Sequence, residues 1–232
     1  MVYKTSLTIA VPFYNEEDSI KNFKMQLESL LNKLKDVSIK VLLVDDGSND
    51  NTQDILNENG LFIILNNKIN SGKGASIKKG IKSANNQNII LIDGDLEIDI
   101  DQIPRLIKKY EKSDKDALVG IRWNKNSNIK LEINALGNFF INSLFNVLYK
   151  SNLNDVLCCV KILNTNLLKS LDIQSNGFSI EIETAAKLLL NNLTIEETTI
   201  NYTRRSFNQG KKLKISDGWI VTWTMIKLKL FK

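Results

Sequence analysis

Asp93-Gly94-Asp95 directly follows the apolar run Asn88–Ile92 and sets two carboxylates at i and i+2 of an extended segment, where both face one side. Two clustered carboxylates beside a diphosphate suit a hard divalent cation, Mg2+ or Mn2+, and Glu97 stands where it could join them or bind a metal-bound water. Gly94 leaves room for a ligand to approach the backbone. Taken alone, this segment also reads as an acidic turn capping a helix. Two further clusters weigh against that: Pro12-Phe13-Tyr14-Asn15-Glu16-Glu17 ends the first apolar strand, and Asp45-Asp46-Gly47-Ser48 ends the second. Asn70-Ser71-Gly72-Lys73-Gly74 then opens a helix, with Gly72 and Gly74 able to present backbone N–H groups and Lys73 a positive charge to a phosphate. The Walker A spacing is absent, as is G-x-G-x-x-G after the first strand, which argues against a P-loop NTPase and a nicotinamide enzyme.

The elements that must position these groups follow from periodicity. Continuous apolar runs predict strands over Leu7–Val11 (stopped by Pro12), Ile39–Val44, Leu61–Leu65, Asn88–Ile92 and Ala117–Ile121. Helices are predicted from Asp18 or Ser19 to about Lys35, and over 50–57, 71–84 and 101–111. This alternation predicts an α/β fold, an open, mostly parallel twisted sheet flanked by helices, with ligands beyond the carboxyl ends of the strands. After Trp123 the rhythm changes: helical periodicity runs from Ile129 to Tyr149, strands are predicted over 155–163 and 194–203, a helix over 181–190, and 204–217 reads as a basic loop.

Composition sets the outer bounds. The chain has 232 residues, 31 Lys plus Arg against 26 Asp plus Glu, and a formal charge of +5, a mild basicity that demands no nucleic-acid partner. There is no histidine, and the two cysteines, Cys158 and Cys159, are adjacent. Histidine bases, nucleophiles and ligands are thereby excluded, as are a disulfide framework and a multi-cysteine metal centre, so any cation is held by oxygen. No secretory core opens the sequence and no apolar run reaches eighteen residues, so the expected location is cytoplasmic.

The four segments 12–17, Asp45-Asp46-Gly47-Ser48-Asn49-Asp50-Asn51-Thr52, 70–75 and Asp93-Gly94-Asp95-Leu96-Glu97 together resemble family 2 glycosyltransferases of the GT-A fold, of the polyprenyl- or dolichyl-phosphate mannose or glucose synthase type. The second half is similar more loosely, through Val119-Gly120-Ile121-Arg122, Asp155–Lys161 (with Cys159-Val160 in place of Gly-Phe), Phe178–Glu183, and the basic Arg204, Arg205 and Gly210-Lys211-Lys212. The resemblance implies one GT-A domain over 1–218, with a nucleotide-sugar half (1–123) and an acceptor half (124–218), followed by an amphipathic tail (219–232). It implies that Pro12, Tyr14 and Glu16 line the nucleoside pocket, that Asp46 bonds the base, and that Asp45 supports the turn or the ribose. Asp93 meets ribose or metal, Asp95 the metal. Lys73 and the late lysines, Lys212 among them, offset the diphosphate, and Arg122, Arg204 and Arg205 hold phosphate. Asp155 serves as a base near the acceptor or caps the following strand.

The implied activity is inverting, metal-dependent transfer of one hexose from a UDP- or GDP-sugar to a polyprenyl phosphate. The alternative acceptor is a sugar hydroxyl of a glycan or lipid-linked oligosaccharide. A phosphate acceptor is already ionised and needs cation clamps more than a base, which fits a chain without histidine. The processive Q-x-x-R-W signature is absent. The end of the sequence interleaves Trp219, Trp223, Ile226 and Leu230, an apolar stripe at helical spacing, with Lys227, Lys229 and Lys232. Such a stripe packs on the domain or in a homodimer, or rests on a membrane surface.

Overall fold

The computed structural model describes residues 6–57, 60–122, 133–204 and 215–231. Strand β1 (Leu7–Phe13) lies inside one seven-stranded sheet with β2 (Ile39–Asp45), β3 (Ile63–Asn66), β4 (Asn88–Leu91), β5 (Ala117–Ile121), β6 (Lys161–Asn164) and β7 (Ile195–Thr199), in the order β3-β2-β1-β4-β6-β5-β7. β1 pairs in parallel with β2 and β4, β2 with β3, and β5 with β7. Only β6 is antiparallel to its neighbours. The expected mostly parallel sheet is what forms, with one strand of the second half inserted between β4 and β5.

Alternation along β1 explains why its run is continuously apolar. Leu7, Ile9, Val11 and Phe13 enter one core with Ile20, Phe23, Leu27 and Leu30 of α1 (Glu17–Lys33). Ala10 enters another with Ile77 and Ile81 of α3 (Lys73–Ser83). Both faces are covered, as a parallel sheet requires. The remaining helices are α2 (Thr52–Asn57), α4 (Ile103–Lys112, after a 3-10 turn at Ile100–Gln102), α5 (Ile133–Tyr149), α6 (Thr165–Ser170), α7 (Ile180–Leu190) and α8 (Ile215–Leu230). A third core joins α5, α7 and α8 through Phe145, Ile182 and Met225.

Several expectations need correction. Pro12 does not stop β1. The carbonyl of Ala10 accepts from Ile92 N–H, so Pro12, two residues on, faces the same side. The β4 ladder ends there at Ala10 and Leu91, so the missing N–H costs no ladder bond. β6 begins at Lys161: earlier in the stretch the Asp155 and Val156 N–H groups donate to the Glu197 and Asn142 side chains, and the Val160 carbonyl accepts from Gly120 N–H of β5 at 2.9 Å. α6 starts where Asn164 caps the Asn166 and Leu167 N–H groups. α8 begins at Ile215, so a boundary at 219 falls inside a helix whose Val221 and Met225 are buried.

Candidate functional site

β1 leads to β2 and β3 on one side and has β4 on the other, so the crevice at the carboxyl ends of β1 and β4 is the switch point of the sheet. The 12–17 and 45–52 segments are laced together on this edge. Asp46 N–H donates to the Phe13 carbonyl at 2.8 Å, Asn15 N–H to Ser48 Oγ at 2.9 Å, Glu16 N–H to Thr52 Oγ1 at 2.7 Å and Asn49 N–H to Asn15 Oδ1 at 3.0 Å. Asp45 is fully buried and accepts from Ser48 N–H at 3.1 Å and from its hydroxyl at 2.5 Å, which makes it a turn-former. Pro12 and Tyr14 are half-buried on the same edge, and Glu16 accepts from the Ser19 hydroxyl at 2.7 Å at the start of α1.

Asp46 does not stand ready for a base. Its buried carboxylate accepts from Asn67 Nδ2 at 2.8 Å, Ser71 N–H at 3.1 Å, Ser76 Oγ at 3.0 Å and Gly72 N–H at 2.7 Å. The same bonds correct the expectation of a phosphate cradle at 70–74. Two of its N–H groups are taken by Asp46, and Ala75 N–H by the carbonyl of Asn176 at 3.0 Å. A Cβ on Gly72 or Gly74 would lie 2.4 Å from the Asn176 or Ser175 carbonyl oxygen, so these glycines admit the 174–177 loop against α3. Gly94 likewise makes room for protein, since a Cβ there would meet the Phe13 ring at 2.2 Å.

Lys73 also has protein partners. Its Nζ lies 2.8 Å from Asp93 and 2.9 Å from Glu181, and 5.8 Å from the centre of the Phe178 ring. Burial alone would lower the Lys73 pKa, but the two carboxylates hold it well above its usual value. Glu181 in turn pairs with buried Lys161, which also donates to the Cys158 carbonyl. Burial pushes the Glu181 carboxyl up, and the two ammonium groups more than offset this and keep it low. Glu181 and Lys161 were assigned no role from sequence; the available signal was a pair of acids, Glu181 and Glu183, inside the otherwise apolar start of α7. Cys159, beside them, is a free, buried thiol whose pKa is raised by its hydrogen bond with the Cys158 thiol and by burial.

Asp95 is half-buried and accepts from Glu97 N–H at 3.1 Å. Among the described residues, no cluster of three carboxylate or thiol side chains is placed to hold a metal ion. The donor set nonetheless fits a magnesium-like cation that takes one or two carboxylates and completes its shell with substrate oxygens. Asp93 is matched by Lys73, and Asp95 stands two residues on at the same strand end.

On the far side of β6, Arg122 and Asp155 engage each other. Nε and Nη2 donate to the carboxylate at 2.8 Å each, and the Arg122 N–H adds a third bond at 3.0 Å. Burial opposes the guanidinium charge, and Asp155 raises its pKa well above the ordinary value. The carboxylate expected as a base is thus engaged by the guanidinium and by the Arg122 backbone N–H. It is not a strand cap, since it sits in the turn before β6. The guanidinium lies 5.6 Å from the Tyr202 ring centre, and the Tyr202 hydroxyl donates to Glu97 at 2.8 Å. Arg204 follows, half-exposed. Arg205, Gly210, Lys211 and Lys212 lie outside the described residues.

Residues 8–171 match Glycosyl transferase family 2. Uncharacterized protein MJ0544 of Methanocaldococcus jannaschii is 31% identical over 204 residues, which cover 82% of this chain and 85% of that protein. Dodecaprenyl-phosphate galacturonate synthase of Rhizobium johnstonii is 29% identical over 177 residues, covering 72% of this chain and 50% of that one. Undecaprenyl-phosphate 4-deoxy-4-formamido-L-arabinose transferase of Photorhabdus laumondii is 35% identical over 114 residues, covering 46% and 34%. The aligned region thus spans half or less of those two prenyl-phosphate enzymes. Among solved structures, glucosyl-3-phosphoglycerate synthase from Mycobacterium tuberculosis superposes with a TM-score of 0.74 at 14% identity, covering 97% of this chain and 80% of that one. At that identity the likeness speaks for the fold. The family match, the shared architecture and the laced strand ends agree: the chain belongs to glycosyl transferase family 2 and is a glycosyltransferase of the α/β, GT-A-like fold.

Proposed function

We propose that the protein transfers a single hexose from a UDP- or GDP-sugar to a polyprenyl phosphate on the cytoplasmic side of a membrane, with inversion and with Mg2+ or Mn2+. The observation that carries the acceptor class is the Arg122–Asp155 pair. A hydroxyl acceptor needs a base, and Asp155 is occupied. An ionised phosphate needs a fixed cation, and Asp155 holds Arg122 rigid. The names of the prenyl-phosphate relatives support the same class.

In this reading residues 1–123 serve the donor and 124–218 the acceptor, with Pro12, Tyr14 and Glu16 beside the nucleoside. A phosphate oxygen attacks the anomeric carbon as the bond to the diphosphate breaks, and the nucleoside diphosphate leaves with that electron pair. Asp95, with Asp93 beside it, would hold the cation, which would supply charge neutralisation for the leaving group. Lys73 orients Asp93, and Arg122, with Arg204 and Lys212, holds phosphate. The departure at Cys159-Val160 supports a second reading, transfer to a sugar hydroxyl with Asp155 released from Arg122.

A donor screen across UDP- and GDP-sugars, with and without a short-chain polyprenyl phosphate and with Mg2+, Mn2+ or chelator, tests this. Prenyl-phosphate-dependent release of nucleoside diphosphate is expected, lost with chelator and with Asp95→Asn. Transfer to glycan acceptors alone would replace it with the second reading.

A further inference from the structure

Two helices carry large apolar side chains that the described surface leaves in water. Phe139, Phe140 and Val147 of α5 are 72%, 62% and 77% exposed, and Trp219, Trp223 and Leu230 of α8 are 76%, 61% and 69% exposed. The opposite faces of the same helices hold the third core, where Phe145 and Met225 are fully buried and the Tyr149 hydroxyl donates to the Met225 carbonyl at 2.7 Å. At about 100° per residue the exposed residues of each helix lie on the arc away from Phe145 and Met225. Both helices are therefore apolar on two sides. A helix facing water turns polar residues outward, and one that is apolar all round is covered. Residues 133–149 contain no charged side chain at all.

We propose that α5 and α8 together form a docking face for an anionic lipid bilayer. The sequence pattern pointed only to the C-terminal stretch; the structure adds α5 as its partner. The cations favour lipid over a second copy of the chain. Lys227 lies on the outward arc of α8, one turn from Trp223, and is exposed. Lysine is depleted from the centre of protein interfaces, whereas at a bilayer its stem lies on hydrocarbon and its ammonium among headgroups, with tryptophan at the same depth. Over 133–150 and 215–231, Lys150, Lys227 and Lys229 stand against Asp217 alone. Among the described residues, no helix is long and apolar enough to cross a membrane, so attachment is in the plane of the surface. The inference rests on the prenyl-phosphate reading only in that such an acceptor lies in the same bilayer.

The test is sedimentation of the 232-residue chain with phosphatidylglycerol-containing vesicles, beside the variant carrying Phe139→Ser, Phe140→Ser, Trp219→Ser and Trp223→Ser. Because these side chains face water, the variant is expected to melt at an unchanged temperature, and light scattering reports the oligomer. The wild-type chain is expected to co-sediment, less so with neutral lipid or high salt, and the variant to lose about tenfold or more of its partitioning. A wild-type chain that stays in the supernatant overturns the proposal. So does a wild-type dimer that the variant converts to monomer without any vesicle binding, which would make a second copy the occupant. Vesicle binding without transfer to polyprenyl phosphate would leave docking intact and remove the acceptor reading.

Discussion

Two buried charge clusters stand along the β4-β6-β5 edge of the sheet, and they are balanced differently. Lys73, Asp93, Glu181 and Lys161 form a chain of alternating sign that runs from α3 and β4 to α7 and β6, joining the two halves of the sequence. Arg122 and Asp155 form a closed pair, both from the edge around β5 and β6, with Tyr202 against the guanidinium. In the chain Lys73 and Glu181 each bridge two partners while Asp93 and Lys161 each meet one, so removing Glu181 takes the paired carboxylate from buried Lys161 and one of two from Lys73. In the pair the carboxylate serves one buried cation, so neutralising it costs stability as well and, in addition, changes how that cation is held. The first cluster is thus expected to act mainly on stability and the second also on the acceptor side of the reaction.

The largest effect is expected from Glu181→Ala. It leaves Lys161, 1% exposed, and Lys73 with one counter-charge between them, at a cost of about 3–5 kcal/mol. Urea denaturation measures it, and Lys161→Met in the same chain should recover part of the loss. If Glu181→Ala costs no more than a surface substitution, the chain does not act as one unit. Asp46→Ala comes next, at about 2–3 kcal/mol, because Ser71 and Gly72 N–H, Ser76 Oγ and Asn67 Nδ2 lose one shared acceptor. Nucleotide affinity should fall as that loop loosens, equally for UDP and GDP. A selective loss for one of them would return Asp46 to base reading.

Asp155→Asn sharpens the other side of the comparison. It retains the shape of the pair and weakens the grip on Arg122, so kcat/KM for the acceptor should fall by about thirtyfold while affinity for the donor nucleotide holds. A loss confined to kcat and restored at higher pH would instead mark Asp155 as a base, and would favour the hydroxyl acceptor.

The asymmetry also explains what was legible in the sequence. The mostly parallel sheet, its two covered faces and the strand ends that carry polar groups followed from runs such as Ile39–Val44 and from turn residues at 12–17, 45–48 and 93–95, whereas the strand order did not. Those signals are local. The assignments of Asp46, Gly72, Gly74 and Gly94 were local too, and the structure revised them because each depends on a neighbour distant in sequence: the 70–76 loop, Asn176 and Phe13. Lys73 was legible as a cation but not as one already paired, since Glu181 lies 108 positions further on (181 − 73). The α8 stripe was expected along 219, 223, 226 and 230; the buried line is Val221 and Met225, because packing on α5 and α7 selected the other face.

The smallest effect tests whether the seam between the halves is itself electrostatic. Glu183 is buried, pairs with Lys187 at 2.8 Å, and accepts from Gln174 N–H at 2.8 Å and Ser175 N–H at 2.7 Å, holding the loop that fits against Gly72 and Gly74. Burial pushes its carboxyl up, and the Lys187 ammonium with the Ser175 and Gln174 donors outweighs this, so its pKa lies below the ordinary 4.5. A depressed carboxyl contributes stability that is present above its unfolded pKa and lost as pH falls through the folded one. Glu183→Gln should therefore lower stability by about 1–2 kcal/mol near neutrality. Thermal melts of the two chains should stay apart down to about pH 5 and converge as the solution is taken below the ordinary carboxyl value. A gap that persists unchanged in acid would show that shape alone, and not the charge of Glu183, keeps the 174–177 loop in its place against α3.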